Sequence, residues 1–202
     1  AVELKHRTPQ KLEDERRCIY ISSFEADVSS QFEEAYNDLA NQGITSLIID
    51  IRNNGGGIVD ESLDIAEMMT DKGQTLLIES DKNGEEEVIK AEKDKTITMP
   101  IVLLVNEYSA SASEILAGIL KENVENATLI GNTTYGKGVI QTLYPLTDGS
   151  GIKITTNEYF TPNHNTINKI GVEPDIKVDD YLFLGTLDLD NDTQIKRAME
   201  EL

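Results

Sequence analysis

The sequence contains one cysteine, two histidines, no tryptophan and few basic residues. Cys18 cannot form an internal disulfide, and its place in the alternating segment RRCIYIS indicates a small buried hydrophobic residue rather than a nucleophile. The 18 Lys and Arg stand against 37 Asp and Glu, a net charge of −19. This balance argues against a nucleic-acid partner, because phosphate binding needs clustered cations. No apolar run reaches the roughly 18–20 residues that would span a bilayer.

The chain does contain enough apolar residues for one substantial core. Its 202 residues, 39% of them hydrophobic and 27% charged, are typical of one large globular domain. The opening segment AVELKHRTPQ has neither an initiator Met nor the charged and apolar regions of a secretion signal. We therefore expect the chain to be part of a longer protein.

Strand and helix patterns alternate along the chain. Two continuous apolar runs, in TSLIIDI and MPIVLLV, predict strands covered on both faces, each followed by a loop and a helix. The segments TLLIES and EEEVIKA flank DKNG, which is typical of a β-hairpin. Helices are predicted over SSQFEEAYNDLANQG, with Ser29 and Ser30 as caps, over Asp60–Gly73 and from about Thr193 to Leu202. The sequence predicts an α/β fold with a largely parallel central sheet, flanking helices and added hairpins.

Two corners where a buried strand meets a helix carry the residues best suited to chemistry. They are the glycine corner, Asn53–Gly57, and the serine corner, Ser109–Glu114. Functional sites in open α/β sheets collect at the carboxyl ends of strands, so we expect the two corners to converge. Consecutive glycines present unshielded N–H groups to a ligand or an oxyanion, although NNGGG could also be only a tight turn. It matches neither a dinucleotide fingerprint nor a P-loop.

Ser109, Ser111 and Ser113 could cap the helix or supply a nucleophile. A catalytic serine needs a base, and neither His6 nor His164 lies in a recognisable triad context. Lys137, between two glycines in TTYGKGVIQ, could be the base if burial lowers its pKa, although most lysines are simply solvated. These residues alone leave the choice between caps and a nucleophile open.

Five sequence motifs, in a fixed order along the chain, resemble those of a known enzyme family. DIRNNGGG, SASASEILAG, TTYGKGVIQ, TTNEYFTP and GVEPDIKV resemble the C-terminal processing (tail-specific) serine peptidases, over about residues 17–202. The resemblance implies a crotonase-like (ClpP/crotonase-type) core and a Ser/Lys dyad, with Ser111 as nucleophile and Lys137 as general base. It implies that Gln141 orients the lysine. The oxyanion donors that it implies are the backbone N–H groups of Gly55, Gly56, Gly57 and Ala112.

The resemblance also implies a biological setting. Substrates would be proteins or peptides with apolar C-terminal tails, and a PDZ domain would precede this chain, with residues 1–16 as the connecting segment and 17–202 as the catalytic domain. Captured tails would add as a strand to the PDZ domain. The full-length protein would work outside the cytoplasm, in the periplasm or at the cell surface, anchored or secreted. A homo-oligomer is left open, and the dyad requires no metal or cofactor.

Two rival functions share this scaffold: a catalytically silent peptide-binding domain and a crotonase-type acyl-CoA enzyme. A calcium loop is a rival interpretation of DLDNDTQ, but Thr193 and Met199 stand where Gly and Glu are needed, so a helix cap is expected. Spacing gives one geometric prediction. Lys137 and Gln141 would lie about 13 Å apart on a straight strand and about 6 Å apart on a helical turn, so this stretch should not be straight.

Overall fold

The computed structural model describes residues 16–179 and 191–202. The predicted connecting segment up to residue 15, His6 and the first part of DLDNDTQ lie outside the described residues. The helices are α1 (Val28–Ala40), α2 (Val59–Glu67), α3 (Ala112–Asn123) and α4 (Thr193–Glu201). The strands are β1 (Arg16–Tyr20), β2 (Ser46–Asp50), β3 (Thr75–Asp81), β4 (Glu86–Lys90), β5 (Ile101–Val105), β6 (Ala127–Gly131), β7 (Val139–Pro145), β8 (Gly151–Phe160) and β9 (Ile176–Lys177).

The central sheet has five strands in the order β1-β2-β5-β6-β9, and every pairing in it is parallel. The two continuous apolar runs form β2 and β5, whose residues are all buried. Burial of both faces explains why these strands carry no alternating pattern. The predicted α/β core with a largely parallel sheet is confirmed.

A second sheet of four antiparallel strands, in the order β4-β3-β8-β7, contains the added hairpins. The DKNG segment joins β3 to β4 as predicted. Tyr159 of β8 is fully buried and belongs to the main hydrophobic core, so this sheet packs its inner face against the rest of the domain.

Helices cover both faces of the parallel sheet. The main core contains apolar side chains of α1, α2 and α3, whereas Ile195 and Ala198 of α4 pack with Ile48, Val102 and Leu104 in a second cluster. Cys18 is half-buried beside this second cluster. None of the helices in the described ranges is long and apolar enough to cross a membrane.

Two helix ends differ from their predictions. Helix α1 begins after Asp27, and Ser29 is already helical; its N-terminus is capped from α2, where Glu61 accepts hydrogen bonds from the N–H groups of Asp27 and Ser29 at 3.0 and 2.8 Å. Helix α2 ends at Glu67 rather than near Gly73. There the carbonyl of Met68 accepts hydrogen bonds from residues 96 and 97, so an approaching segment of chain replaces the next helical turn.

Candidate active site

The glycine corner and the serine corner meet, as expected, and buried polar side chains join them. The N–H of Ala110 donates to the carbonyl of Asn54 at 3.0 Å, and the hydroxyl of Ser113 donates to the same carbonyl at 2.9 Å. The hydroxyl of Ser109 donates to the carbonyl of Ile51 at 2.9 Å. Ser109 and Ser113 are both fully buried, so they hold the two corners together rather than face a substrate.

A pair of asparagine side chains adds a second link between the corners. Asn53 Oδ1 accepts from Asn106 Nδ2 at 2.9 Å, while the N–H of Asn53 donates to Asn106 Oδ1 at 2.9 Å. Asn53 has a φ of 61°, in the left-handed region that asparagine tolerates better than most residues. The reciprocal pair therefore holds the start of the glycine turn in a conformation that few side chains would adopt alone.

Ser111 stands at the tip of the serine corner, just before α3, with φ 59° and ψ −117°. This backbone conformation is strained for any residue with a side chain, and such strain concentrates at functional sites. A sharp turn from strand to helix that exposes a serine is also the geometry of a nucleophile elbow. Unlike its two neighbouring serines, Ser111 is only partly buried. Ser111 is therefore the serine of the three that is placed to react.

Gly56 packs directly against this serine. A Cβ at Gly56 would lie 2.6 Å from the carbonyl oxygen of Ala110 and 2.8 Å from Cβ of Ser111, and the φ of Gly56 is +97°. Both constraints require glycine here. The N–H of Gly56 donates to Asn54 Oδ1 at 2.9 Å. By contrast, the N–H groups of Gly55, Gly57 and Ala112 have no hydrogen-bond partner among the described residues.

Glu114 connects the serine corner to the segment that carries Lys137. Its carboxylate is fully buried, and Oε2 accepts hydrogen bonds from the N–H groups of Ser111 and Lys137 at 2.9 and 2.8 Å. The two amide nitrogens are therefore no more than about 6 Å apart, since each lies within 2.9 Å of one oxygen atom. Oε1 accepts from the hydroxyl of Thr134 and the N–H of Gly136, both at 2.6 Å. Four donors thus satisfy a carboxylate that would be costly to bury alone.

Tyr159 joins the same two segments from the other side. Its hydroxyl donates to the carbonyl of Lys137 and lies 3.1 Å from the carbonyl oxygen of Ser111. Burial, and after it the charge of Glu114, raises the pKa of Tyr159 far above its ordinary value, so the phenol keeps its proton and remains a donor. The backbones of Ser111 and Lys137 are thus fixed by a buried acceptor and a buried donor.

The side chains of the expected dyad are less constrained than their backbones. Ser111 and Lys137 are each partly buried, and their side chains form no hydrogen bond with one another in the described part of the chain. Gln141 is exposed on β7. Lys137 lies just before β7, which begins at Val139, and Gln141 lies on that strand, so the stretch between them is not helical. The register shift between Ile140 and Gln141 passes over Thr156 and so places the extra residue on β8. That residues 137–141 depart from a straight strand stays a prediction.

The remaining candidates have structural partners. His164 is exposed, stacks on the ring of Phe160 and hydrogen-bonds to Glu86 at 2.8 Å. Asp192 caps α4 by accepting from the N–H groups of Gln194 and Ile195, which confirms a helix cap in the described part of DLDNDTQ. Across residues 16–179 and 191–202, no group of three or more His, Cys, Asp or Glu side chains is arranged to hold a metal ion.

Sequence reasoning missed the roles of Glu114, Thr134 and Tyr159. For Glu114 a signal existed, because Ser111 and Glu114 have the Ser-x-x-Glu spacing of a capping box, in which the acid reaches back to the N–H of the cap residue. For Tyr159 there was none. It lies 48 residues beyond the serine whose carbonyl it approaches, and a buried tyrosine in a strand usually indicates only core packing.

Comparisons with known proteins agree with this architecture. Residues 18–178 match the profile of peptidase family S41. The chain is 40% identical over 162 residues to a chloroplastic C-terminal processing peptidase of Tetradesmus obliquus, covering 80% of this chain and 34% of that protein. It is 38% identical over 174 residues to the carboxy-terminal processing protease CtpA of Bacillus subtilis (strain 168), covering 85% of this chain and 37% of that protein.

A solved structure of a related protease has the same fold as this chain. The photosystem II D1 C-terminal processing protease superimposes with a TM-score of 0.77 at 36% identity, over 90% of this chain and 46% of that one. The chain spans only about a third of the length of the two curated relatives described above. The family profile matches most of this chain, and the two relatives are 40% and 38% identical to it. The chain therefore belongs to peptidase family S41.

Proposed function

We propose that this chain is the catalytic part of a serine endopeptidase that cleaves protein substrates near their C-termini, with Ser111 as nucleophile and Lys137 as general base. The observation that carries the proposal is the shared contact with Glu114: one buried carboxylate oxygen accepts from the N–H groups of both residues. A structural cap for α3 needs only the bond to Ser111. The second bond brings the segment of Lys137 to the strained serine.

The chemistry is acyl transfer. Neutral Lys137 takes the hydroxyl proton of Ser111 as the serine oxygen attacks the peptide carbonyl, and the resulting ammonium protonates the leaving amine. Water, deprotonated by the same lysine, then hydrolyses the acyl-enzyme. Gln141 is proposed to orient Lys137, which requires its side chain to turn from its exposed position towards the lysine.

Backbone amides would stabilise the oxyanion that forms in each step. Among residues 16–179 and 191–202, no group accepts from the N–H of Gly55, Gly57 or Ala112, whereas the N–H of Gly56 donates to Asn54 Oδ1. We therefore favour Ala112 with Gly57 or Gly55 as donors, and Gly56 as the residue whose missing side chain lets the glycine corner pack directly against Ser111.

The substrate and the setting are proposals that rest on the relatives. Relatives named as C-terminal processing peptidases support protein tails as substrates, and we propose that apolar tails are preferred. We further propose that a PDZ domain delivers those tails to residues 17–202 in the full-length protein, either as a monomer or as a homo-oligomer. Because the relatives include chloroplastic enzymes, we propose an extracytoplasmic or lumenal site of action.

Cleavage of an unfolded protein with an apolar C-terminal tail tests the proposal. The wild type, Ser111→Ala and Lys137→Ala would be compared by intact-mass analysis of the products. We expect fragments shortened from the C-terminus with the wild type and none with either variant, since the two residues act as one unit. Equal cleavage by wild type and Lys137→Ala would remove the lysine from the mechanism. Turnover of an acyl-CoA thioester without peptide cleavage would favour the rival enzyme class.

A further inference from the structure

A buried arginine stands directly before the glycine corner. Arg52 follows β2, is fully buried and precedes Asn53, the first residue of the turn. Its guanidinium donates to Asp50 through Nε at 2.9 Å and through Nη2 at 2.7 Å. This two-point pairing is the strongest arrangement that an arginine and a carboxylate can form, and it neutralises the arginine within a single strand end.

The same guanidinium also binds the start of α4. Its Nη2 lies 2.8 Å from Asp192 Oδ2, and its Nη1 donates to Gln194 Oε1 at 2.9 Å. Asp192 is fully buried and Gln194 almost so. Asp192 therefore uses one oxygen to cap α4 and the other to hold an arginine 140 positions earlier in the chain.

Charge balance does not require this second carboxylate. Asp50 alone offers Arg52 a two-point ion pair, so a second buried carboxylate is not needed to pair the charge of the guanidinium. What Asp192 and Gln194 add is geometric. They occupy the donors on the side of the guanidinium that Asp50 leaves open, and Gln194 is itself fixed by donating from Nε2 to the carbonyl of Val178 at 2.9 Å. The arginine is thereby held between the end of β2 and the start of α4.

We propose that Asp192 and Gln194 are positioning residues for the glycine corner: by clamping Arg52, they make the geometry of the oxyanion donors depend on the docking of α4. Few residues separate Arg52 from the site. Asn53 follows Arg52 directly and hydrogen-bonds to Asn106, whose N–H donates to the hydroxyl of Ser109 in the serine corner at 3.0 Å. The proposal rests on the proposed peptidase function for its catalytic consequence. Its structural part, the coupling of α4 to the corner, does not.

The variant Asp192→Asn separates the two roles of this side chain. Asparagine is as good an N-cap as aspartate, so α4 keeps its cap, while the charged contact to Arg52 is lost. Gln194→Ala removes the other contact and leaves the cap untouched. Glu200→Gln is the matched control, because it removes one acid from the same helix at an exposed position whose partner is Arg197.

Two readouts test the proposal on the chain as described. Hydrogen exchange of the peptide that contains residues 52–57 should be faster in Asp192→Asn and Gln194→Ala than in the wild type and Glu200→Gln. On the unfolded-protein substrate, kcat should fall about 10- to 100-fold in both variants with KM nearly unchanged, as for a misplaced catalytic geometry. A cooperative thermal unfolding transition in each variant would show that the variants being compared are folded.

Unchanged exchange at residues 52–57 in both variants would overturn the proposal. So would a rise in KM at constant kcat, which would assign α4 to substrate binding instead. If the wild type neither cleaves nor reacts with a fluorophosphonate, the peptidase function fails, but the exchange measurement still decides whether α4 controls the corner.

Discussion

Oε2 of Glu114 accepts hydrogen bonds from the N–H groups of both Ser111 and Lys137, at 2.9 and 2.8 Å. One buried side chain thus fixes the backbones of the proposed nucleophile and the proposed base relative to each other. Because two acceptor oxygens meet four donors, the carboxylate has no spare capacity, and any change in its chemistry must leave a buried donor unpaired.

Replacing Glu114 with glutamine should disable the site while keeping its shape. A glutamine amide points its NH₂ group at two of the four donors, and of these only the Thr134 hydroxyl can turn to accept, so at least one backbone N–H loses its partner. We expect the free energy of unfolding to fall by about 2–5 kcal/mol and the peptidase rate by at least about 100-fold. Chemical denaturation and the rate of fluorophosphonate labelling measure the two effects. Glu107→Gln, an equal charge change on an exposed side chain, serves as control; a labelling rate for Glu114→Gln equal to that of the control would refute the role of Glu114.

Tyr159→Phe removes the donor on the opposite side of the dyad. The carbonyl of Lys137 loses its partner, whereas the ring continues to fill the core, so we expect a loss of about 1–2 kcal/mol in unfolding free energy. The position of Lys137 should become less defined, which lowers kcat more than it raises KM. Steady-state kinetics at several substrate concentrations separates the two parameters. A variant with wild-type kcat would mean that the hydroxyl serves stability alone.

Alanine substitutions in the glycine corner should differ sharply between neighbours. Gly56→Ala places a Cβ within 2.8 Å of Ser111 Cβ in a backbone conformation that alanine avoids, so we expect a loss of more than about 2 kcal/mol in unfolding free energy and no activity. At Gly55 nothing lies within 4 Å of the added Cβ, and Gly55→Ala should change stability by less than about 1 kcal/mol. Thermal unfolding of the two variants tests this contrast, which equal destabilisation would contradict.

The ionised carboxylate of Glu67 should stabilise the fold at neutral pH, and this contribution should be lost in acid. Burial alone would raise the pKa of Glu67, but hydrogen bonds from the N–H groups of Glu92 and Lys93 and from the Lys93 ammonium outweigh it, so the pKa lies below its ordinary value of 4.5. A lowered pKa in the folded state means that the ionised form stabilises the fold, and that this stability is lost as the pH falls through the folded-state pKa.

Glu67→Gln should therefore be less stable than the wild type at pH 7, by about 1–3 kcal/mol. The difference should shrink as the pH falls below about 4.5, where the unfolded chain begins to bind the proton, and should vanish once the pH is below the lowered pKa of the folded state. Urea unfolding of both proteins between pH 7 and pH 3 measures it. A difference that stays constant across this range would show that charge is not what Glu67 contributes.

Hydrophobic periodicity and turn residues, which involve only neighbouring positions, predicted the helices and strands. The rule that sites form at the carboxyl ends of strands predicted that the two corners meet. Neither could predict partners that meet only through the fold. The cap of α1 comes from Glu61, more than 30 residues away, and the clamp on Arg52 comes from Asp192 near the end of the chain. For the dyad itself, the order of five motifs identified the family, whereas composition left Lys137 indistinguishable from a solvated lysine.

Mapping the site of fluorophosphonate attachment by mass spectrometry of proteolytic peptides tests whether Ser111 is the nucleophile and Lys137 its base. We expect a single adduct on Ser111, none on the buried Ser109 and Ser113, and labelling at least about 100-fold slower in Lys137→Ala. An adduct on another residue, or labelling of Ser111 at the same rate without Lys137, would contradict the assignment of a Ser/Lys dyad.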